Sequence, residues 1–136
     1  MNTGKISIVD LDKKKDPRGY FCELISGKYV NRPPGFGLIY ITQAANPGVI
    51  KGNHYHRRKT EWFCLIKGRA DLFLRPVKGG DARKVELADD RLRMVKIPPG
   101  IVHAFRNTGS GEMILLAYIS EEFNPDDPDT FQEKII

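Results

Sequence analysis

Short apolar or alternating runs, separated by turn-forming residues along the whole chain, constrain the fold more than any other feature. Runs at 6–11, 20–25, 37–42, 49–55, 62–66, 70–77, 84–87, 92–97, 101–105 and 113–119 have strand length and either period two or apolar character throughout. Between them stand turn residues at 16–19, 32–35, 46–48, 78–81, 88–90, 98–100 and 108–111, where Pro fixes φ and Gly admits positive φ. No convincing long helix, internal repeat or linker interrupts the series. The expected class is all-β, with residues 1–136 forming one domain large enough to bury a core without disulfides.

The strand phases bring particular chemistry together. His54 and His56 are two residues apart on one expected strand and so project from the same face, while Glu61 returns on the next strand after the polar turn at 57–60. Phe63, Leu65, Ala70, Leu72 and Leu74 continue the inward set, and on a later strand His103 shares its face with Ile101 and Phe105. The result is a mostly apolar cavity with a few convergent polar groups, the usual character of a small-molecule site. Three imidazoles and a carboxylate suit a divalent metal. Zinc fits a mixed nitrogen and oxygen set, and iron, manganese, nickel and cobalt fit it as well.

Charge and composition narrow the partners. The net charge of +5, from 22 basic and 17 acidic residues, is concentrated at 13–15 and 57–59. These runs lack interleaved aromatics and any nucleic-acid motif, so no nucleic acid is expected, whereas a phosphorylated small molecule is compatible. No apolar run approaches the ~20 residues needed to span a bilayer, and residues 1–5 lack the apolar stretch of a secretory signal, so no membrane association is expected and a cytoplasmic location is. Cys22 and Cys64 lie in apolar runs without ligand or redox spacing and read as small buried hydrophobes. The run at 113–119 is apolar on both faces, which points to the other sheet or a second subunit; a homodimer is expected.

The spacing of Gly48, His54, His56, Glu61 and Gly68, followed by Pro98, Gly100, His103 and Asn107, resembles both signature motifs of the cupin superfamily, with Leu92 where a glycine usually opens the second. The resemblance implies a double-stranded β-helix, or jelly-roll barrel, with a metal held inside its mouth by His54, His56, Glu61 and His103. The segment at 16–23 is similar to one near the start of the dTDP-4-dehydrorhamnose 3,5-epimerases. Residues 52–63 and 122–130 more closely resemble the carboxy-terminal cupin domain of bifunctional capsular-polysaccharide enzymes, which epimerise and then reduce a UDP-4-keto-6-deoxy-N-acetylhexosamine.

These likenesses imply a nucleotide-sugar epimerase acting at C3 of a 4-keto-6-deoxy hexose in surface-polysaccharide biosynthesis, with a nucleotide-diphosphate sugar as its partner. Arg18 and Lys51 are the expected diphosphate contacts, Arg18 reaching across to a second subunit as in the rhamnose epimerases. Tyr118 lies near the position of their proton-donating tyrosine. His54 matches their metal-free general base, but an imidazole lone pair cannot both bind a metal and accept a proton, and Glu61, which completes the cupin ligand set, favours the metal. A metal-dependent oxygenase and a non-catalytic sugar-binding cupin are the alternative readings, since fold alone decides none of them.

Overall fold

The computed structural model describes residues 5–26 and 36–136; the turn expected at 32–35 lies outside the described residues. Twelve strands follow in chain order: β1 Ser7–Asp10, β2 Lys14–Asp16, β3 Gly19–Phe21, β4 Leu38–Ala44, β5 Ile50–Tyr55, β6 Glu61–Lys67, β7 Arg69–Pro76, β8 Arg83–Ala88, β9 Arg93–Ile97, β10 Ile101–Asn107, β11 Met113–Ile119 and β12 Phe131–Gln132. Among the described residues there is no α-helix. Two antiparallel five-stranded sheets form, in the orders β1-β9-β6-β11-β4 and β12-β5-β10-β7-β8, beside a small β2-β3 hairpin. This is the all-β arrangement expected from the run-and-turn pattern.

The core lies where the alternation places it. Phe63 and Leu65 of β6, Ala70, Leu72 and Leu74 of β7, Phe105 of β10, and Leu115 and Ala117 of β11 pack into one buried cluster. Burying aliphatic and aromatic side chains of this kind supplies most of the folding free energy, about 1.5–3 kcal/mol for each large one. A second cluster covers the outer face of the first sheet. Trp62, Cys64, Met94 and Tyr118 are packed there against Leu11, Cys22, Leu24 and Ile25.

That second cluster explains one departure from the sequence pattern. The run at 20–25 pairs only as far as Phe21, because beyond it Cys22, Leu24 and Ile25 are spent covering the outer sheet face. Two further strands carried no apolar signal. β2 is built from the basic run and is wholly exposed, and β12 has two residues, held by pairing of Phe131 with Tyr55 and Gln132 with His54.

One irregularity sets the direction of the histidines. On β5, His54 pairs with His103 but Gly52 already pairs with Ala104, so Asn53 is the extra residue of a β-bulge and has φ 61°. Gly52 has φ 110°, and a Cβ there would sit 2.7 Å from the His103 carbonyl oxygen. Gly52→Ala therefore meets both backbone strain and an unyielding backbone contact. A destabilisation of about 2–4 kcal/mol is expected in urea unfolding. Gly79→Ala, at φ 118° with nothing within 4 Å of its Cβ, should carry only the strain component and cost visibly less.

Candidate metal centre

The two sheets deliver the four expected ligands to one place. One ligand atom from each of His54, His56, Glu61 and His103 lies within 4.8 Å of the others. His54 is the next-to-last residue of the bulged strand β5, His56 follows that strand, Glu61 opens β6, and His103 lies mid-way along β10 opposite His54. His56, Glu61 and His103 are buried, while His54 is half-buried and faces an adjoining cavity.

Hydrogen bonds fix what two of the imidazoles can present. Nδ1 of His56 lies 2.6 Å from the Asp129 carbonyl oxygen, and Nδ1 of His103 lies 3.0 Å from that of Ile101. A carbonyl only accepts, so both Nδ1 atoms donate and each neutral ring offers a lone pair at Nε2. Both Nε2 atoms lie 3.0 Å from the same Glu61 oxygen, Oε1. Acceptor thus faces acceptor, and all three atoms are buried without a hydrogen-bond partner. A shared cation satisfies the three at once, and imidazoles fixed through Nδ1 to carbonyls are the usual outer support of a metal site. The residues fit a divalent metal.

The electrostatics agree with this division of labour. Burial alone would raise the Glu61 carboxyl, but His103 and His56, each able to donate from Nε2 to the carboxylate once its ring is protonated, outweigh it and hold the group well below the usual carboxylate range. Burial, then the neighbouring His103, push His54 down to about 4, so its ring stays neutral at physiological pH. For His56 burial again opposes the charge, yet the Glu61 carboxylate and the Asp129 carbonyl prevail and raise it above its ordinary value. Protons therefore compete with a metal at His56. Because binding needs the neutral ring, metal affinity should fall with falling pH, starting above the ordinary histidine value of ~6.5. Zinc titration by chelator competition between pH 8 and pH 5 checks this; a flat profile would contradict it.

Beside the cluster lies a cavity of about 160 Å³. Its polar wall carries Tyr40, Thr42, Lys51, His54 and His103, and its apolar wall Phe63, Phe105 and Leu115. Tyr40 and Thr42 alternate inward on β4, a run whose sequence showed no chemistry. Burial, and then the Glu61 charge, push the Tyr40 phenol well above its ordinary range, so it keeps its proton.

Lys51, expected as a diphosphate contact, lines this cavity, whereas two other anticipated residues do not. Tyr118 occupies the opposite face of β11 from Ala117 and Ile119, with its ring 5.6 Å from Trp62 and its hydroxyl accepting from the Gly37 amide at 3.3 Å. Strand alternation carries it to the outer sheet face, away from the histidines. Arg18 sits on the β2–β3 turn, its side chain 90% exposed and paired with Asp16 at 2.6 Å, and does not line the cavity of its own chain. The motif residue Asn107 is structural: buried, it donates to the carbonyls of Ala44, Asn46 and Gly111 and accepts from the Gly109 amide.

Comparison with known proteins adds a family. A family model described as the polysaccharide biosynthesis C-terminal domain matches residues 14–131. A UDP-2-acetamido-2,6-beta-L-arabino-hexul-4-ose reductase of Pseudomonas aeruginosa is 31% identical over 122 residues, covering 90% of this chain and 31% of that protein. The capsular polysaccharide assembling protein CapF of Staphylococcus aureus superposes with a TM-score of 0.72 at 30% identity, over 92% of this chain and 34% of that one. The chain therefore spans about a third of the length of these relatives. A dTDP sugar isomerase of Desulfovibrio desulfuricans shares the fold, with a TM-score of 0.82 at 18% identity over 93% of this chain and 82% of that one.

Proposed function

The chain belongs to the polysaccharide biosynthesis C-terminal domain family, and from that membership we propose that it is a metal-dependent isomerase inverting C3 of a nucleotide-linked 4-keto-6-deoxy hexose. The observation that carries the reading is the convergence of His56, His103 and Glu61 on one point beside a cavity that also presents the Tyr40 phenol and the Lys51 ammonium. At about 160 Å³ the cavity is smaller than the ~300–1,000 Å³ of sites that engulf a whole ligand, so it suits the hexose end and leaves the diphosphate outside.

The chemistry follows from the residues. A C4 ketone acidifies the C3 proton; a solvent molecule in the cavity takes that proton from one face and passes it to bulk water, and an acid on the cavity wall returns one to the other face, so atoms balance without a redox partner. A divalent metal held by His54, His56, Glu61 and His103 would polarise the C4 carbonyl. The depressed basicity of His54 makes it a poor acceptor for a carbon-bound proton and an available ligand. Tyr40, protonated and on the cavity wall, is the acid of this scheme in place of Tyr118.

Lys51 contacts the substrate within one chain, and Arg18 contributes to the diphosphate from a second copy in a homodimer. Strand β4, at the edge of its sheet among the described residues and exposing Ile39 and Ile41 to 47% and 66%, supports such pairing. Since Arg18 is exposed and screened, Arg18→Ala should weaken nucleoside-diphosphate binding by about tenfold or less, with metal content unchanged. Calorimetric titration with UDP and dTDP reads it, and equal affinity in both proteins would remove Arg18 from the site.

The function itself is tested by incubating the zinc-loaded protein with UDP- and dTDP-4-keto-6-deoxy hexoses in heavy water. Deuterium entering at C3 together with a C3-inverted product supports the proposal. Oxygen consumption without exchange, or binding without turnover, refutes it. Deuterium exchange with the ketone moved to C3 would instead identify a ketoisomerase, which shares the first proton removal.

A further inference from the structure

We propose that Asp129 is a positioning residue for the metal centre: its carboxylate fixes the turn between His56 and Glu61, and its carbonyl holds His56 in the Nδ1–H tautomer. The proposal rests on the metal-site reading above. Asp129 is 2% exposed, and its side chain is filled by backbone donors. One carboxylate oxygen accepts from the Arg57 amide at 2.9 Å, and the other accepts from Arg58 at 2.9 Å and Lys59 at 3.0 Å. Three successive N–H groups aimed at one point form an anion-binding concavity, and this chain supplies the anion from its own carboxy-terminal segment.

The same residue then acts on a ligand through its other end. Its carbonyl oxygen accepts a hydrogen bond from His56 Nδ1–H at 2.6 Å, which leaves the lone pair at Nε2, toward Glu61. Thus the turn that spaces two ligands and the hydrogen bond that orients one of them both depend on where Asp129 sits. Its backbone is held in the left-handed region at φ 52°, which Asp and Asn tolerate better than other side chains. Neighbouring contacts tie the segment down on both sides: Lys59 Nζ donates to the Pro128 carbonyl at 2.9 Å, and the Phe131 ring stacks on Tyr55 at 5.4 Å. A residue serving stability alone would have no need to touch an imidazole of the cluster.

Two variants separate side chain from backbone. Asp129→Gly accepts the positive φ but removes the carboxylate, and Asp129→Asn keeps the backbone and one oxygen while placing an NH₂ where an acceptor is needed. The readouts are zinc affinity by chelator competition and the His56 tautomer by ¹⁵N NMR of the metal-free protein at alkaline pH. The wild type should show a single Nδ1–H form. In Asp129→Gly the ring should become a mixture of tautomers and zinc should bind about 10–100-fold more weakly, with Asp129→Asn in between. A folded variant with a lower melting temperature but wild-type tautomer and zinc affinity would overturn the proposal, reducing Asp129 to a structural cap. If the glycine variant fails to fold, the asparagine variant decides by the same readouts. Should wild-type protein bind no zinc, the metal reading falls, and the tautomer alone decides the role of Asp129.

Discussion

Glu61→Gln is expected to weaken zinc binding by at least about 100-fold and to abolish turnover, while leaving the metal-free protein as stable as the wild type or more so. Both parts come from one geometry. Glu61 Oε1 is the atom on which His56 and His103 converge, each at 3.0 Å, so loss of its charge removes the centre of the ligand set. Supporting residues that only orient ligands typically account for 10–100-fold in affinity, and a ligand should exceed them. Without metal, however, that oxygen faces two lone pairs, and a Gln amide can donate to one of them and relieve the mismatch. At zinc equal to 100 times the wild-type Kd, the native wild type gains about 2.7 kcal/mol, whereas a variant bound 100-fold more weakly gains only about 0.4 kcal/mol. The wild-type melting temperature should rise with zinc on the order of 10 °C and that of the variant hardly at all. Scanning calorimetry with and without zinc measures this, and equal shifts would remove Glu61 from the ligand set.

The four-residue cluster was legible because strand alternation has only two phases. His54, Glu61, Phe63 and Leu65 all had to share the inward face once any one did, and polar turn residues kept adjacent strands in phase. Tyr118 illustrates where this fails. Residues 113–119 are apolar on both faces, so the sequence carried no mark of inside and outside; the structure buries Leu115 and Ala117 inward and Tyr118 beneath the segment that follows β3. Tyr40 and Asn53 were readable in part. Tyr40 alternates with exposed Ile39 and Ile41, which leaves polar side chains on the inner face, and a Gly-Asn pair inside a strand is a bulge signal. Asp129 was beyond reach, because its partners lie 70–73 positions earlier and no local pattern records such pairings.

Tyr40→Phe is expected to lower the rate of C3 inversion by about 10²–10³-fold while C3 proton exchange persists. Removal and return of the proton occur on opposite faces of the sugar and need different groups, and positioned acids typically contribute 10²–10⁴-fold. Tyr40 lines the cavity with His54 and His103, and burial and the Glu61 charge keep its phenol protonated, so it holds a proton for the enolate. Phenylalanine keeps the ring and its packing but removes the hydroxyl. The enolate still forms and can be reprotonated from the face it came from, so deuterium from heavy water should enter C3 of recovered substrate without a matching yield of inverted product. The diagnostic quantity is the ratio of exchange to inversion, which should rise by the same 10²–10³-fold and which a general loss of folding or of metal would leave unchanged. Tyr118→Phe serves as the control, since its hydroxyl accepts from the Gly37 amide on the outer sheet face and its loss should alter neither rate appreciably. Equal losses of exchange and inversion in Tyr40→Phe would place Tyr40 in substrate binding, and a wild-type ratio would place the acid elsewhere on the cavity wall.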